Sequence, residues 1–197
     1  IVRQLTGSWA SWEMNYEIRN GTLGLRLLRP IHPMLGFAVQ NLAAQPLRLI
    51  VALPMTVIWL GSVGAGQFPH SAWGWLAFLL ALLGGWLVTY LASFSIGCLA
   101  FFMESSIKIM DVWLTLFFVF GGYLIPVELF PAALRSVLDW LPFRYQIGLP
   151  VELLTSAHGE AATLGLLARQ WSWAAAFFFL AVGLWRKGLT RFAAYGG

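Results

Sequence analysis

From Leu49 through Met103 the chain carries no Asp, Glu, Lys or Arg. One membrane-spanning helix takes ~20 apolar residues, so this run has room for two spans and a connector. Turn-forming residues at Gly61, Gly64, Gly66, Pro69 and His70 place the connector at 61–71. The apolar pattern predicts four spans, near 45–64, 72–102, 112–125 and 168–186. The third is short and has Gly121-Gly122 near its end, so it is expected to run directly into a segment of another kind.

That segment, Gly121 to Leu154, is apolar overall but cut by Pro126, Pro131, Pro142 and Pro150. Glu128, Arg135, Asp139, Arg144 and Glu152 are scattered through it. Pro131 can open a helix, because its missing N–H would be unsatisfied in the first turn anyway. In the piece it opens, Leu134, Val137, Leu138 and Leu141 fall on one side at helical spacing. Arg135, Ser136 and Asp139 fall on the other, with Arg135 and Asp139 one turn apart as an ion pair. Broken backbone survives at membrane depth only if it is buried in protein or lines a wet cavity. The expectation is a re-entrant helical hairpin over 126–152, dipping into the membrane from one side before a final span.

Composition agrees with this pattern. Charged residues make up 10% of the chain, and a soluble domain carries about 25%. Mean hydropathy is +0.75. Of 12 Lys and Arg, only Arg135, Arg144 and Arg169 fall on the side of the connector and the broken segment. The rest, from Arg3, Arg19, Arg26, Arg29 and Arg48 through Lys108 to Arg186, Lys187 and Arg191, fall on the other side. The excess predicts a cytoplasmic location for 1–44, the 104–111 loop and the C-terminal tail. Trp73, Trp75, Trp171 and Trp173 are expected at the outer boundary, and Trp113 and Trp185 at the inner one. The net charge of +4 thus reflects topology, and the spread of basic residues argues against a nucleic-acid partner. Ile1 is no initiator methionine, and the expectation is an N-terminally incomplete chain in which Ile1 and Val2 end an earlier span. No signal peptide is visible.

Candidate chemistry is sparse. His32, His70 and His158 are far apart in loops, without metal-ligand spacing, so no metal site is expected. Ser156, His158 and Glu160 are close in sequence, but residues two apart do not build a nucleophile–base pair on regular structure. No phosphate-binding loop motif occurs, and no ionisable residue lies mid-span. Single Cys98 allows no intrachain disulfide. In the second span Ala81, Gly85, Thr89, Ser93 and Gly97 recur every four residues as a ridge of small side chains. It serves either internal packing or a subunit interface. Steps of four drift around a straight helix, so one partner follows the whole ridge only by crossing at an angle.

Two stretches carry a resemblance. Glu17-Ile18-Arg19-Asn20-Gly21-Thr22-Leu23, then Leu27-Leu28-Arg29-Pro30-Ile31, resembles the E-x-R-x-G-T-L…L-L-x-P pattern of type-2 ABC exporter permeases. Ile125 to Leu154, with I-P-x-x-x-F-P, L-P-F-R-Y and P-x-E, is similar to the re-entrant outer helices before the last span of that family. The bacterial six-span "ABC-2 family transporter protein" branch is the nearest in pattern. The resemblance implies an all-α integral membrane protein with four of six spans visible, a cytoplasmic coupling segment at 1–44 and a transmembrane domain at 45–197. It implies contact with a separate ABC ATPase subunit through Glu13, Glu17, Arg19, Gly21, Thr22, Leu23, Arg29 and Pro30. It implies an outer hairpin bearing Pro126, Phe130, Pro131, Arg135, Asp139, Pro142, Arg144, Tyr145, Pro150 and Glu152. A second permease, as a homo- or heterodimer, would complete the path, with membrane lipid around it. ATP and Mg would be bound in the partner ATPase, with no cofactor in this chain, and the location would be the bacterial inner membrane, multi-pass. Against this stand a non-transporting polytopic scaffold and an intramembrane enzyme. The former fits the composition, and the latter would need a buried His, Ser or acid pair.

Overall fold

The computed structural model describes residues 2–63, 69, 71–122, 124, 130–155 and 159–195. Gly64, Gly66, His70, Ile125, Pro126, Glu128, Ser156 and His158, all named above, lie outside the described residues. Among those described the backbone is helical, without strands. In chain order the helices are α1 (Val2–Thr6), α2 (Ala10–Arg19), α3 (Leu23–Leu27), α4 (Pro33–Ala43) and α5 (Gln45–Val63). Next come α6 (Ala72–Cys98), α7 (Ser106–Phe120), α8 (Ala132–Leu138), α9 (Gly148–Thr155) and α10 (Glu160–Tyr195).

The central element is α6. Ser71 caps it, its hydroxyl oxygen accepting the Gly74 N–H at 3.0 Å, and a 3₁₀ turn over Leu99–Phe101 extends its far end. From Gly84 to Cys98 nearly every side chain is buried, so this half of the helix is surrounded by protein. α10 lies along it and turns one stripe inward: Leu167, Gln170, Ala174, Ala181 and Trp185 are buried, while Phe178 and Phe179 face out. These two helices, over Ala72–Phe101 and Glu160–Phe192, are long and apolar enough to cross a membrane.

The predicted second span therefore coincides with α6 and its 3₁₀ extension. α5 also fills its predicted range, with Pro54 inside it. The other two boundaries shift. α7 begins at Ser106 and ends at Phe120, and α10 runs well past 168–186 at both ends. The chain is not one helix from Trp113 to Trp140, because α7 stops before Gly121 and the next helix opens after Pro131.

No core boundary falls at residue 44. Met14 of α2, Leu23 of α3, and Met34 and Phe37 of α4 share one buried cluster with Trp86, Tyr90 and Phe94 of α6 and Ala181 and Trp185 of α10. The Trp86 indole donates to Asn41 Oδ1 at 2.8 Å, and the Tyr90 hydroxyl donates to Met34 O. Trp185 is thus a core residue, ringed by His32, Phe94 and Phe101, and not a boundary tryptophan. Trp113 is likewise packed between Phe143 and Phe177. Trp75 and Trp171 remain exposed at the predicted outer boundary.

Candidate functional site

The broken segment folds back on itself and inserts against α6. α8 follows Pro131 directly, as the sequence predicts. Within it Leu138 is buried, whereas Leu134 and Val137 are exposed. The expected Arg135–Asp139 pair does not form. Arg135 Nε donates instead to the Phe130 carbonyl at 2.6 Å, and Asp139 pairs with Arg144. Helical spacing makes Arg135 a neighbour of Asp139, but the turn after α8 brings the Arg144 guanidinium closer. Arg144 also reaches Glu152 on α9, with Nη2 2.9 Å from Oε2, so one cation ties two carboxylates together. Burial disfavours its charge, yet the hydrogen bond to Glu152 and the charges of Glu152 and Asp139 outweigh this and hold its pKa above the ordinary value. Pro142 is buried, and Pro150 occupies the first turn of α9, where a proline removes no helical bond.

Tyr145 and Gln146 form the innermost part of this segment. Gly85 of α6 makes the approach feasible, since a Cβ there would lie 2.7 Å from Gln146 O and 3.2 Å from Tyr145 O. At about 1.5 Å rise per residue, Gly85 lies roughly 20 Å along α6 from Ala72, about half its length. Phe143 likewise reaches the middle of α7, its ring 4.7 Å from that of Trp113. Irregular backbone at that position needs partners from within the protein. Gln170 of α10 supplies one, donating from Nε2 to both Tyr145 O and Ala81 O at 2.8 Å. Thr89 donates to Gly85 O at 2.8 Å, and its hydroxyl oxygen lies 3.2 Å from the Gln146 side-chain amide. The Tyr145 hydroxyl donates to Asp139 O at 2.6 Å, and the Trp173 indole to Trp140 O at 3.0 Å.

All five small-ridge residues are buried, and the ridge meets two partners. Ala81, Gly85 and Thr89 face the broken segment and Gln170. Gly97 faces α2, where an added Cβ would lie 3.1 Å from Met14 Cβ and Ser11 Cα. The drift expected of four-residue steps carries the ridge from one neighbour to the other.

At the N-terminal helices, Gly21 adopts φ +71°, a left-handed conformation that costs glycine little, and turns the chain between α2 and α3. Pro30 comes after the end of α3. Pro33 opens α4, with His32 Nδ1 accepting the Met34 N–H at 3.2 Å. Glu17 is partly buried in a two-pronged pair with Arg26, Nε to Oε2 at 2.8 Å, and Arg26 also stacks over Phe37 at 3.9 Å. Arg19 donates to Met103 O at 2.8 Å, and Asn15 Nδ2 donates to Ser106 Oγ at 2.6 Å. Leu23 is fully buried. Glu13 is exposed on α2. Crowding around its carboxyl, helped by Glu17 and opposed by Arg26 and Arg48, raises its pKa from the ordinary value. Thr22, Arg29 and Pro30 are exposed, as are Leu25, Leu28 and Ile31.

The family described as ABC-2 family transporter protein matches residues 3–196. The chain belongs to this family. It is therefore a membrane permease of the ABC-2 transporters, a transport subunit and not itself a catalyst. No curated protein and no solved structure gives a significant match. In this ABC-2 permease, four polar residues do work that the sequence pattern alone did not single out: Arg26, Asn41, Gln146 and Gln170. The available signal was an amide or guanidinium near apolar stretches, since a buried polar group must find a partner or cost free energy.

Proposed function

We propose that this permease forms the membrane path of an ABC exporter, with α5, α6, α7 and α10 as spans and ATP hydrolysed on a separate subunit. A second permease completes the path, and the assembly sits in the bacterial inner membrane. In this reading the segment over 130–155 enters the outer leaflet and shapes the exit, with the N-terminal helices in the cytoplasm. Beyond family membership, the observation that supports it most is the insertion of Tyr145 and Gln146 against Gly85, with Gln170 meeting the unladdered carbonyl of Tyr145. A segment pinned there can occlude a path and yet move, because few helical bonds hold it.

In this reading the ATPase contact is narrower than the sequence resemblance implies. Glu17 and Arg19 brace the loop from inside, through Arg26 and Met103 O. The docking face in this reading is the exposed rim of α3 and of the turn leading to α4: Leu25, Leu28 and Ile31 with Thr22, Arg29 and Pro30. Mild extraction of the tagged permease should recover a nucleotide-binding subunit and Mg-dependent ATP hydrolysis. A monodisperse permease that carries no ATPase would sink the reading and favour a scaffold.

A further inference from the structure

A groove of about 450 Å³ runs between α6, α7 and α10. α7 lines it with Ile109, Val112 and Leu116, and α10 with Phe177, Leu180 and Leu184. The hydroxyl on its wall, Ser95, spends its proton on Leu91 O at 2.7 Å. From Phe177 to Leu184 the slot follows α10 for roughly 10 Å, two helical turns. Val112 and Leu180 stand exposed on its rim, and Leu180 lies in the part of α10 apolar enough to cross a membrane. What such a side chain meets in a bilayer is hydrocarbon.

The groove is apolar along its length and basic at one end. On α10 the stripe of Phe177, Leu180 and Leu184 continues at helical spacing into Lys187 and Arg191. On α7, Lys108 comes one turn before Val112. These ends coincide. Gly188 packs on Phe101 in the 3₁₀ turn after α6, where an added Cβ would lie 2.2 Å from the ring, and α7 begins at Ser106 just beyond that turn. Leu99 of the same turn lines the groove, and the Arg191 guanidinium lies over the Phe102 ring, 4.9 Å from its centroid. Lys108, Lys187 and Arg191 are exposed and make no ion pair among the described residues. Asp111 falls on the far side of α7 from Ile109, and Glu104, exposed in the turn ahead of α7, offsets one charge of the three. Ser105 makes no side-chain hydrogen bond to the start of α7, so the open N–H groups there add to the positive field.

An apolar slot ending in three cations matches an acyl chain joined to a phosphate. We propose that this groove holds one acyl chain of an anionic phospholipid from the surrounding bilayer, with the headgroup phosphate among Lys108, Lys187 and Arg191. A helix of a second permease laid in the same slot would cover the apolar wall but bring no phosphate to the cations. The site rests on the chain being a membrane permease and not on the direction of transport.

Native mass spectrometry of the intact protein released from detergent, titrated with phosphatidylglycerol or phosphatidylcholine of identical acyl chains, tests it. The first phosphatidylglycerol should bind at least about tenfold more tightly than the first phosphatidylcholine, because each basic residue near an anionic headgroup adds to the attraction. Lys108→Gln combined with Lys187→Gln should cut that preference to about threefold or less. Arg135→Gln, on the broken segment, should leave it unchanged. Leu180→Trp fills the groove from its rim and should remove this first site for both lipids, whereas Phe179→Trp on the outer face of the same helix should keep it. Equal affinity for the two lipids overturns the proposal, even if a variant fails to fold. So does a preference that survives the double charge removal, or a first site retained in monodisperse Leu180→Trp. A lipid-free dimer that Leu180→Trp splits into monomers also overturns it, and assigns the groove to a second copy. The assay needs neither ATPase nor transport, so its failure leaves the export reading standing, and the absence of an ATPase partner leaves this site standing.

Discussion

At Gln170 one side chain meets two backbone carbonyls, and one of them, Tyr145 O, lies where no helical ladder serves it. Gln170→Leu keeps the volume but strands a buried acceptor, a loss of about 1–3 kcal/mol. For a chain of this size that lowers the melting temperature in detergent by several degrees, at roughly 2–4 °C per kcal/mol. An unchanged melting temperature would show that Gln170 does not hold the segment. Arg144→Ala should cost more than Arg135→Ala in the same assay, since it leaves both Asp139 and Glu152 without their cation. The pairs are partly exposed, so solvent screening moderates the loss, and Arg135→Ala should fall below about 1 kcal/mol. Equal effects would contradict the observed pairing. The sequence pointed to the wrong partner for Asp139 because helical spacing ranks neighbours within one element only. Arg144 lies beyond Pro142, and only the fold of the turn brings it in.

Between elements, the approach of the broken segment to α6 rests on Gly85. Gly85→Ala places a methyl group 2.7 Å from a backbone oxygen, which cannot rotate away, and should destabilise by about 1–3 kcal/mol. Gly183→Ala on α10, which meets nothing within 4 Å, should be neutral or stabilising by up to about 1 kcal/mol. Similar thermal shifts for the two would argue against tight insertion. On α3's flank, Leu28 is 83% exposed. Leu28→Asp should leave folding unchanged yet abolish co-purification of the ATPase, and retained ATPase would move the docking face elsewhere. The apolar runs made α5 and α6 legible to within a few residues, because turn chemistry bounds both. They misjudged α7 and α10, whose polar ends are helical too: Lys108 and Asp111 lie inside α7, and Glu160 and Arg191 inside α10. An apolar window measures the part of a helix fit for lipid, while the hydrogen-bond ladder sets its length.

Across the whole molecule, α2 and α4 share a core with α6 and α10, so the N-terminal helices pack directly on the helix that holds the broken segment. This arrangement was not legible in the sequence, where 1–44 reads as a separate cytoplasmic piece, because nothing in a helical pattern names the face it will meet. The all-helical class, the broken segment and the family were legible from the charge-free run, the prolines and the two motifs. In the proposed reading the segment between α7 and α10 enters and leaves the membrane on the outer side. The direct measurement is labelling of single cysteines at Leu124, Gly159 and Lys108, all exposed, with a membrane-impermeant maleimide in intact cells. Leu124→Cys and Gly159→Cys should both be labelled from outside, and Lys108→Cys should react only after permeabilisation. Labelling of Leu124→Cys from outside and of Gly159→Cys only after permeabilisation would mean that the segment crosses the membrane and is not re-entrant.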